Sequence, residues 1–282
     1  MVDSQQEYRI VITRPEAQAA PWAVQLESLG FATARLNLLA ITAVEDETKI
    51  RAIKNKILDF DLYQKVIFVS QNAVDHGMDW LEDYWPQLPI GIDYFAVGAT
   101  TARKLANYGL QVQDLAISES GGMTSEDLLS AEHLQHVEGE KILIFRGCGG
   151  RGHLAEELRK RGAWVDYCEL YERQLPGVAT TQLTEMITAA DSNTPSLIVC
   201  LHSGESLQNL QALINGLDSA LQQKALGLLQ TSLLLVPSQR LVNAAHEAGF
   251  TRIICAENAT DNAMTAALLN YCRTHECISL QD

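Results

Sequence analysis

Residues 142–170 read ILIFRGCGGRGHLAEELRKRGAWVDYCEL, and residues 10–38 read IVITRPEAQAAPWAVQLESLGFATARLNL. The two stretches align without a gap at a constant offset of 132, so that 142 meets 10 and 170 meets 38. Ile142/Ile10 and Ile144/Ile12 fall in an aliphatic strand-like run, Arg146/Arg14 ends it, and Ala155/Ala23 and Leu158/Leu26 share one helix face. Gly162/Gly30 stands where a helix C-cap belongs. One strand-turn-helix unit is used twice.

Other pieces recur as well. VIFVSQNAV echoes LIVCLHSGESL, YFAVGATTARKLANYGL echoes LLLVPSQRLVNAAHEAGF with a one-residue slip, and DLAISESGGMTSEDLLSA parallels IICAENATDNAMTAALL. Each is an aliphatic run, a polar turn and a helix-spaced segment, an alternation that predicts α/β architecture with doubly wound parallel sheets covered on both faces. The first copy runs in order over about residues 64–171. The second has three pieces after residue 195 and its fourth at the N-terminus. A discontinuous domain, residues 1–40 plus 174–282, with residues 41–173 folded as an inserted α/β domain, resolves that order. A single continuous sheet is the other reading, and the ungapped repeat argues against it. With 282 residues, the chain is near the length at which one core divides into two. The working site is expected in the cleft between the domains.

Composition is that of an ordinary globular protein, and the net charge of -14 argues against nucleic acid or anionic membrane as a partner. The start, MVDSQQEYRIVITRP, has acids before any apolar run and does not read as a secretory signal, and no apolar stretch reaches the length of a membrane span. The six cysteines are scattered and mostly beside apolar runs, which suits free thiols in a cytoplasmic, reducing compartment.

Candidate site residues lie in turns between strands and helices, where open α/β sheets gather ligands. Gly147-Cys148-Gly149-Gly150-Arg151-Gly152 matches GxGxxG and has Asp166 and Glu169 downstream. A dinucleotide site is a poor fit, because the acid spacing is short and the repeat partner, Arg14-Pro15-Glu16-Ala17, lacks glycines. An anion nest is the better reading, with bare amides at a helix N-terminus and Arg146 or Arg151 holding a carboxylate. Ser70-Gln71-Asn72, the turn of Gly98 to Thr100 and Thr101, Ser203-Gly204-Glu205 and Ser238-Gln239-Arg240 are helix caps by default and ligand turns by position. Hydrolase and metal templates are absent. Cys272, His275 and Cys277 lack a second ligand pair, and the remaining histidines, among them His76 and His202, are read as surface or cap residues.

Taken together, VITRP, FVSQNAV, FAVGATTARKL, ILIFRGCGGRGHLAEELRKRGAWVDYCELYERQ, SGESL, VPSQRL and ENATDNAM resemble the uroporphyrinogen-III synthase family over nearly the whole chain. The resemblance implies two flavodoxin-like domains joined by a two-stranded connector. It also implies a cofactor-free enzyme acting on hydroxymethylbilane, a linear tetrapyrrole polycarboxylate; no metal is expected because the metal templates are absent, and a monomer is the default because no interface signal stands out in the sequence. The hydroxyl would leave as water and the macrocycle would close through a spiro intermediate with the last pyrrole ring inverted. Restraint of a flexible chain and exclusion of water would carry much of the catalysis. The resemblance also places the tyrosine of a VYQ-like segment at Tyr171, as the group assisting departure of the hydroxyl, and maps substrate-binding turns onto Ser70, Thr101, Ser203 and Ser238 to Arg240. PSQRL departs there from a GPTTA-like pattern, which leaves the role of Arg240 open. Arg14 and Arg146 occupy equivalent strand ends and could each meet a carboxylate or brace a turn. The rival readings are a non-catalytic two-lobed binding protein for a small anion and an NAD-linked oxidoreductase using the 147–152 loop.

Overall fold

The computed structural model describes residues 8–113, 125–189 and 195–274. From the start the chain forms β1 (Tyr8–Ile12), α1 (Glu16–Ser28), β2 (Ala32–Arg35), β3 (Ala40–Ala43), α2 (Glu47–Leu58), β4 (Lys65–Phe68) and α3 (Gln71–Tyr84). It continues as β5 (Asp93–Ala96), α4 (Ala99–Asn107), α5 (Ser125–Leu129), β6 (Lys141–Gly147), α6 (His153–Lys160) and β7 (Trp164–Gln174). The remainder is α7 (Val178–Ala189), β8 (Ser196–Cys200), α8 (Gly204–Asn215), α9 (Ser219–Thr231), β9 (Leu233–Val236), α10 (Gln239–Glu247), β10 (Ile253–Cys255) and α11 (Asp261–Thr274).

The strands form two separate five-stranded sheets. In the first, β2-β1-β8-β9-β10 pair in parallel, so the earliest of the described strands lies second from the edge. Numbered by position in the repeat this is the 2-1-3-4-5 order of flavodoxin-like sheets. In the second sheet β7-β6-β4-β5 repeats the order, with β3 added beside β7. A lone parallel bridge from Tyr94 to Val112 stands where β10 stands in the first. The compact units are the chain up to Ala40 with that from Gln174 onward (unit 1), and Ile41–Arg173 (unit 2). The strand expected near residue 116, and His275 and Cys277, lie outside the described residues.

Burial follows the period of the strands. Ile10 and Ile12 pack with Trp22 and Leu268 on one face of the first sheet, while Val11 packs with Leu183 and Leu210 on the other. In the second sheet Ile67 faces Leu158, and Val66 and Phe68 face Leu81. Each such side chain contributes about 1.5–3 kcal/mol relative to exposure, which explains why both faces require helices. Gly30 and Gly162 adopt φ of 88° and 89° just beyond their helices, a left-handed turn that a side chain would oppose. Among the described cysteines all are free, and burial pushes the Cys168 thiol up to about 12, leaving it unreactive.

Candidate active site

At the carboxyl end of the second sheet, β7 leaves its regular register. Arg146 opposes Glu169, but Gly147 opposes Tyr171, so Leu170 is skipped in a β-bulge. A bulge turns two successive side chains toward one face. Cys168 and Leu170 already point into the α3 side of the sheet by strand alternation, and Tyr171 joins them there with 1% of its surface exposed. The ring lies over Gly147, where a Cβ would sit 2.5 Å from it. Its hydroxyl is 2.9 Å from Ser70 Oγ, and the His76 imidazole stacks on the ring with centroids 5.4 Å apart and planes at 24°. Ser70 is also the N-cap of α3, accepting the Ala73 N–H at 3.1 Å. Gln71 is exposed and Asn72 partly so.

The glycine-rich turn is occupied by the protein itself. Gly149, at φ 72°, donates its N–H to Glu169 Oε1 at 3.1 Å. Arg146 is 8% exposed, its guanidinium lies 4.5 Å over the Tyr167 ring, and it donates to the carbonyls of Gly147 and Arg151, each at 3.2 Å. The carboxylate expected from outside is therefore Glu169 in this structure, and Arg146 braces the turn instead of presenting a free cation. Arg151 is exposed and gives its carbonyl to that brace. Asp166, the other acid of the dinucleotide reading, accepts the Tyr63 hydroxyl at 2.9 Å.

Unit 1 has the corresponding turns with other partners. Arg14 pairs with Asp261 at the start of α11 and with Gln18 Oε1 at 3.1 Å. Ser203 caps α8 through the Ser206 N–H and sits 3.0 Å from Ser206 Oγ, with Gly204 beside it in open space. Ser238 caps α10 through the Leu241 N–H, and Arg240 is exposed in the first turn. In unit 2, α4 starts at Gly98 with no side-chain cap. Thr100 is exposed there, whereas Thr101 is 2% exposed on the inner face with Ala102 and Leu105. Burial thus takes Thr101 away from solvent and leaves Thr100 as the hydroxyl that turn presents.

Two histidines depart from the surface role expected of them. His76 follows buried Ala73 by three residues, which places it on the helix face turned to Tyr171. His202 meets Trp22 edge-on at 5.2 Å, and neither of its buried ring nitrogens makes a well-formed hydrogen bond. Burial, and then the nearby Arg14 charge, lower its pKa to about 3, against minor support from the Cys200 backbone.

A family model described as uroporphyrinogen-III synthase HemD matches residues 20–266. The chain belongs to the uroporphyrinogen-III synthase family. It is accordingly an enzyme of tetrapyrrole biosynthesis, a cyclising lyase. The uroporphyrinogen-III synthase of Escherichia coli K12 is 31% identical over 263 residues, covering 92% of this chain and 99% of that protein. The Salmonella typhimurium uroporphyrinogen-III synthase is 32% identical with the same coverage. Among solved structures, the synthase of Helicobacter pylori 26695 aligns with a TM-score of 0.60 at 15% identity, covering 94% of this chain and 99% of that one. A mutant synthase from Thermus thermophilus aligns at 0.54 and 16%, with 95% and 99% covered. At such identities the structural likeness speaks for the fold, and membership of the uroporphyrinogen-III synthase family rests on the sequence matches.

Proposed function

We propose that Tyr171 is the acid of the uroporphyrinogen-III synthase reaction in this chain, protonating the hydroxyl of hydroxymethylbilane as it departs as water. The observation that carries this reading is the hydroxyl of Tyr171, held 2.9 Å from Ser70 Oγ at the carboxyl end of the second sheet. The phenol gives its proton to the leaving oxygen and the C–O bond breaks. The electrophilic methylene left behind is captured by the last pyrrole ring, through the spiro intermediate. The phenoxide recovers a proton when the closed macrocycle loses one from carbon, so the net change is loss of one water.

Substrate carboxylates are assigned to the helix N-termini of each unit. The first amides of α3, α4, α8 and α10 have no intrahelical acceptor, and helix N-termini favour anions. That arrangement suits a protein of net charge -14, which holds an anionic substrate locally and without a basic face. Ser70, Ser203 and Ser238 act here by fixing the turns, while Gln71, Asn72, Thr100, Gly204 and Arg240 present groups toward solvent. Arg14, Arg146, Gly147, Gly149 and Arg151 shape the turns that end β1 and β6. No helix among the described residues is long and apolar enough to cross a membrane, and the free thiols support a reducing, cytoplasmic setting.

The test is Tyr171→Phe with freshly generated hydroxymethylbilane, followed by oxidation and separation of the uroporphyrin isomers. General acid help is worth about 10²- to 10⁴-fold. We expect kcat to fall about 10²-fold, with the type III product reduced and not abolished. Wild-type kcat in the variant removes Tyr171 from the chemistry.

A further inference from the structure

The geometry points to Ser70 as a positioning residue that acts through Tyr171, donating its hydroxyl proton to the phenol oxygen so that the phenol's own proton is left for the substrate. This inference rests on the assignment of Tyr171 as the acid.

A serine hydroxyl has one proton to give and two lone pairs to accept with. One lone pair of Ser70 Oγ is committed to the Ala73 N–H at 3.1 Å, as the cap of a helix that runs from Gln71 to Tyr84. The partial positive charge at that helix end repels the hydroxyl proton outward, and the polar atom on that side, 2.9 Å away, is the Tyr171 oxygen, which would then accept it. The ring itself has little freedom. Gly147 lies directly beneath it and His76 is stacked on it. The phenol oxygen is thus held at a fixed place, bonded by a donor that the helix polarises. As the phenol proton passes to the leaving hydroxyl, the oxygen left behind gains charge against that same donor. A preorganised donor aimed at developing charge is the arrangement that lowers a barrier. Ser70 therefore differs from the caps Ser203 and Ser238, whose hydrogen bonds stay within their own helix turns.

The experiment is a double-mutant cycle supported by two replacements that separate capping from donation. Ser70→Ala is expected to lower kcat about tenfold, the worth of one hydrogen bond, with a smaller change in KM for hydroxymethylbilane from the loss of the α3 cap. In the Tyr171→Phe background the same substitution should leave kcat unaltered, because there is no phenol left to act through. Ser70→Asp keeps a good N-cap and so restores thermal stability, but a carboxylate only accepts and would draw the phenol proton toward itself. Its kcat should stay at or below that of Ser70→Ala. Ser70→Thr, which keeps both functions of the hydroxyl, should regain most of the loss. Three results overturn the inference: Ser70→Ala costs the same factor in both backgrounds, Ser70→Asp recovers kcat along with stability, or Ser70→Ala raises KM at constant kcat. If Tyr171→Phe alone leaves kcat intact, the acid assignment fails and takes the role of Ser70 with it. If Tyr171→Phe lowers kcat but the cycle shows no coupling, the acid assignment stands and the role of Ser70 falls.

Discussion

The two units share a strand order but treat the end of their second-from-edge strand differently. In unit 1, α1 starts at Glu16, immediately after Pro15. In unit 2, α6 starts at His153, which aligns with Pro21, so the equivalent of the first helical turn is unwound into the glycine-rich loop. Gly147 takes the place of Pro15, Tyr171 that of Leu39, and Val69 that of His202. Where unit 1 closes its turn with an Arg14–Asp261 pair to a distant helix, unit 2 ties Arg146 to its own loop and lays a phenol over Gly147. The repeat supplies a stable frame twice over. The proposed acid, Tyr171, lies where one copy departs from the other.

The largest effect should come from cancelling that departure at Gly147. Gly147→Ala puts a Cβ where the Tyr171 ring now lies, 2.5 Å away, and overpacking of this sort costs about 1–3 kcal/mol. The isomer assay should show kcat falling at least as far as in Tyr171→Phe, while Pro15→Ala at the aligned position changes it less than about twofold, there being no phenol above it. Wild-type turnover by a folded Gly147→Ala protein would mean that the placement of the ring is immaterial.

A second test exchanges His202 for the residue of the other copy. The folded-state pKa of His202 is held at about 3, below its ordinary 6.5. The unfolded chain therefore takes up a proton that the folded one refuses as pH falls from 6.5 toward 3. Stability is fully present above 6.5 and is lost downward through that window, at a rate of up to about 1.4 kcal/mol per pH unit. His202→Val should flatten this part of the curve. Urea unfolding at pH 7, 6, 5 and 4 reads the difference, and parallel curves for the two proteins would show that the imidazole is not buried in solution.

The smallest effect separates the two C-cap glycines. Gly30→Ala meets open space, whereas the methyl of Gly162→Ala comes 3.2 Å from Glu138 Cα. Left-handed backbone costs an alanine about 1–2 kcal/mol. We expect about 1 kcal/mol for Gly30→Ala and about 2 kcal/mol for Gly162→Ala by urea titration. Equal losses would show that the Glu138 segment yields freely.

The parts of the fold legible in the sequence were those written in local pattern. The aliphatic runs, the capping serines and the two C-cap glycines each sit where their spacing places them. The short edge strand β3 was not legible, since Ala40–Ala43 carries no strong alternation of buried and exposed residues. At the site, the reading failed where partners are distant in sequence. Ser70 and Tyr171 are 101 residues apart, and only a register slip in β7 brings them together. In the sequence Gly147 reads as a bare amide for an anion, but what it accommodates is an aromatic ring. Arg146 had the right neighbours for a carboxylate site, and the carboxylate proved to be Glu169. Nothing in the spacing of the histidines marks His76 or His202, because their environments are made by packing alone.

The place of β1 in its sheet has a consequence for how the molecule is made. Synthesis delivers β1, α1 and β2 well before β8, with which β1 pairs and which begins at Ser196. At about 5–20 residues per second, a nascent chain waits roughly 10–30 s between finishing β2 and offering β8. All of unit 2 leaves the ribosome in that interval and is free to fold. Meanwhile Ile10, Val11, Ile12 and Trp22, each destined for the interior, have only β2 beside β1 and lack β8 and α11, which complete their surroundings. The early arm therefore docks into its sheet only after the whole of unit 2 has been made.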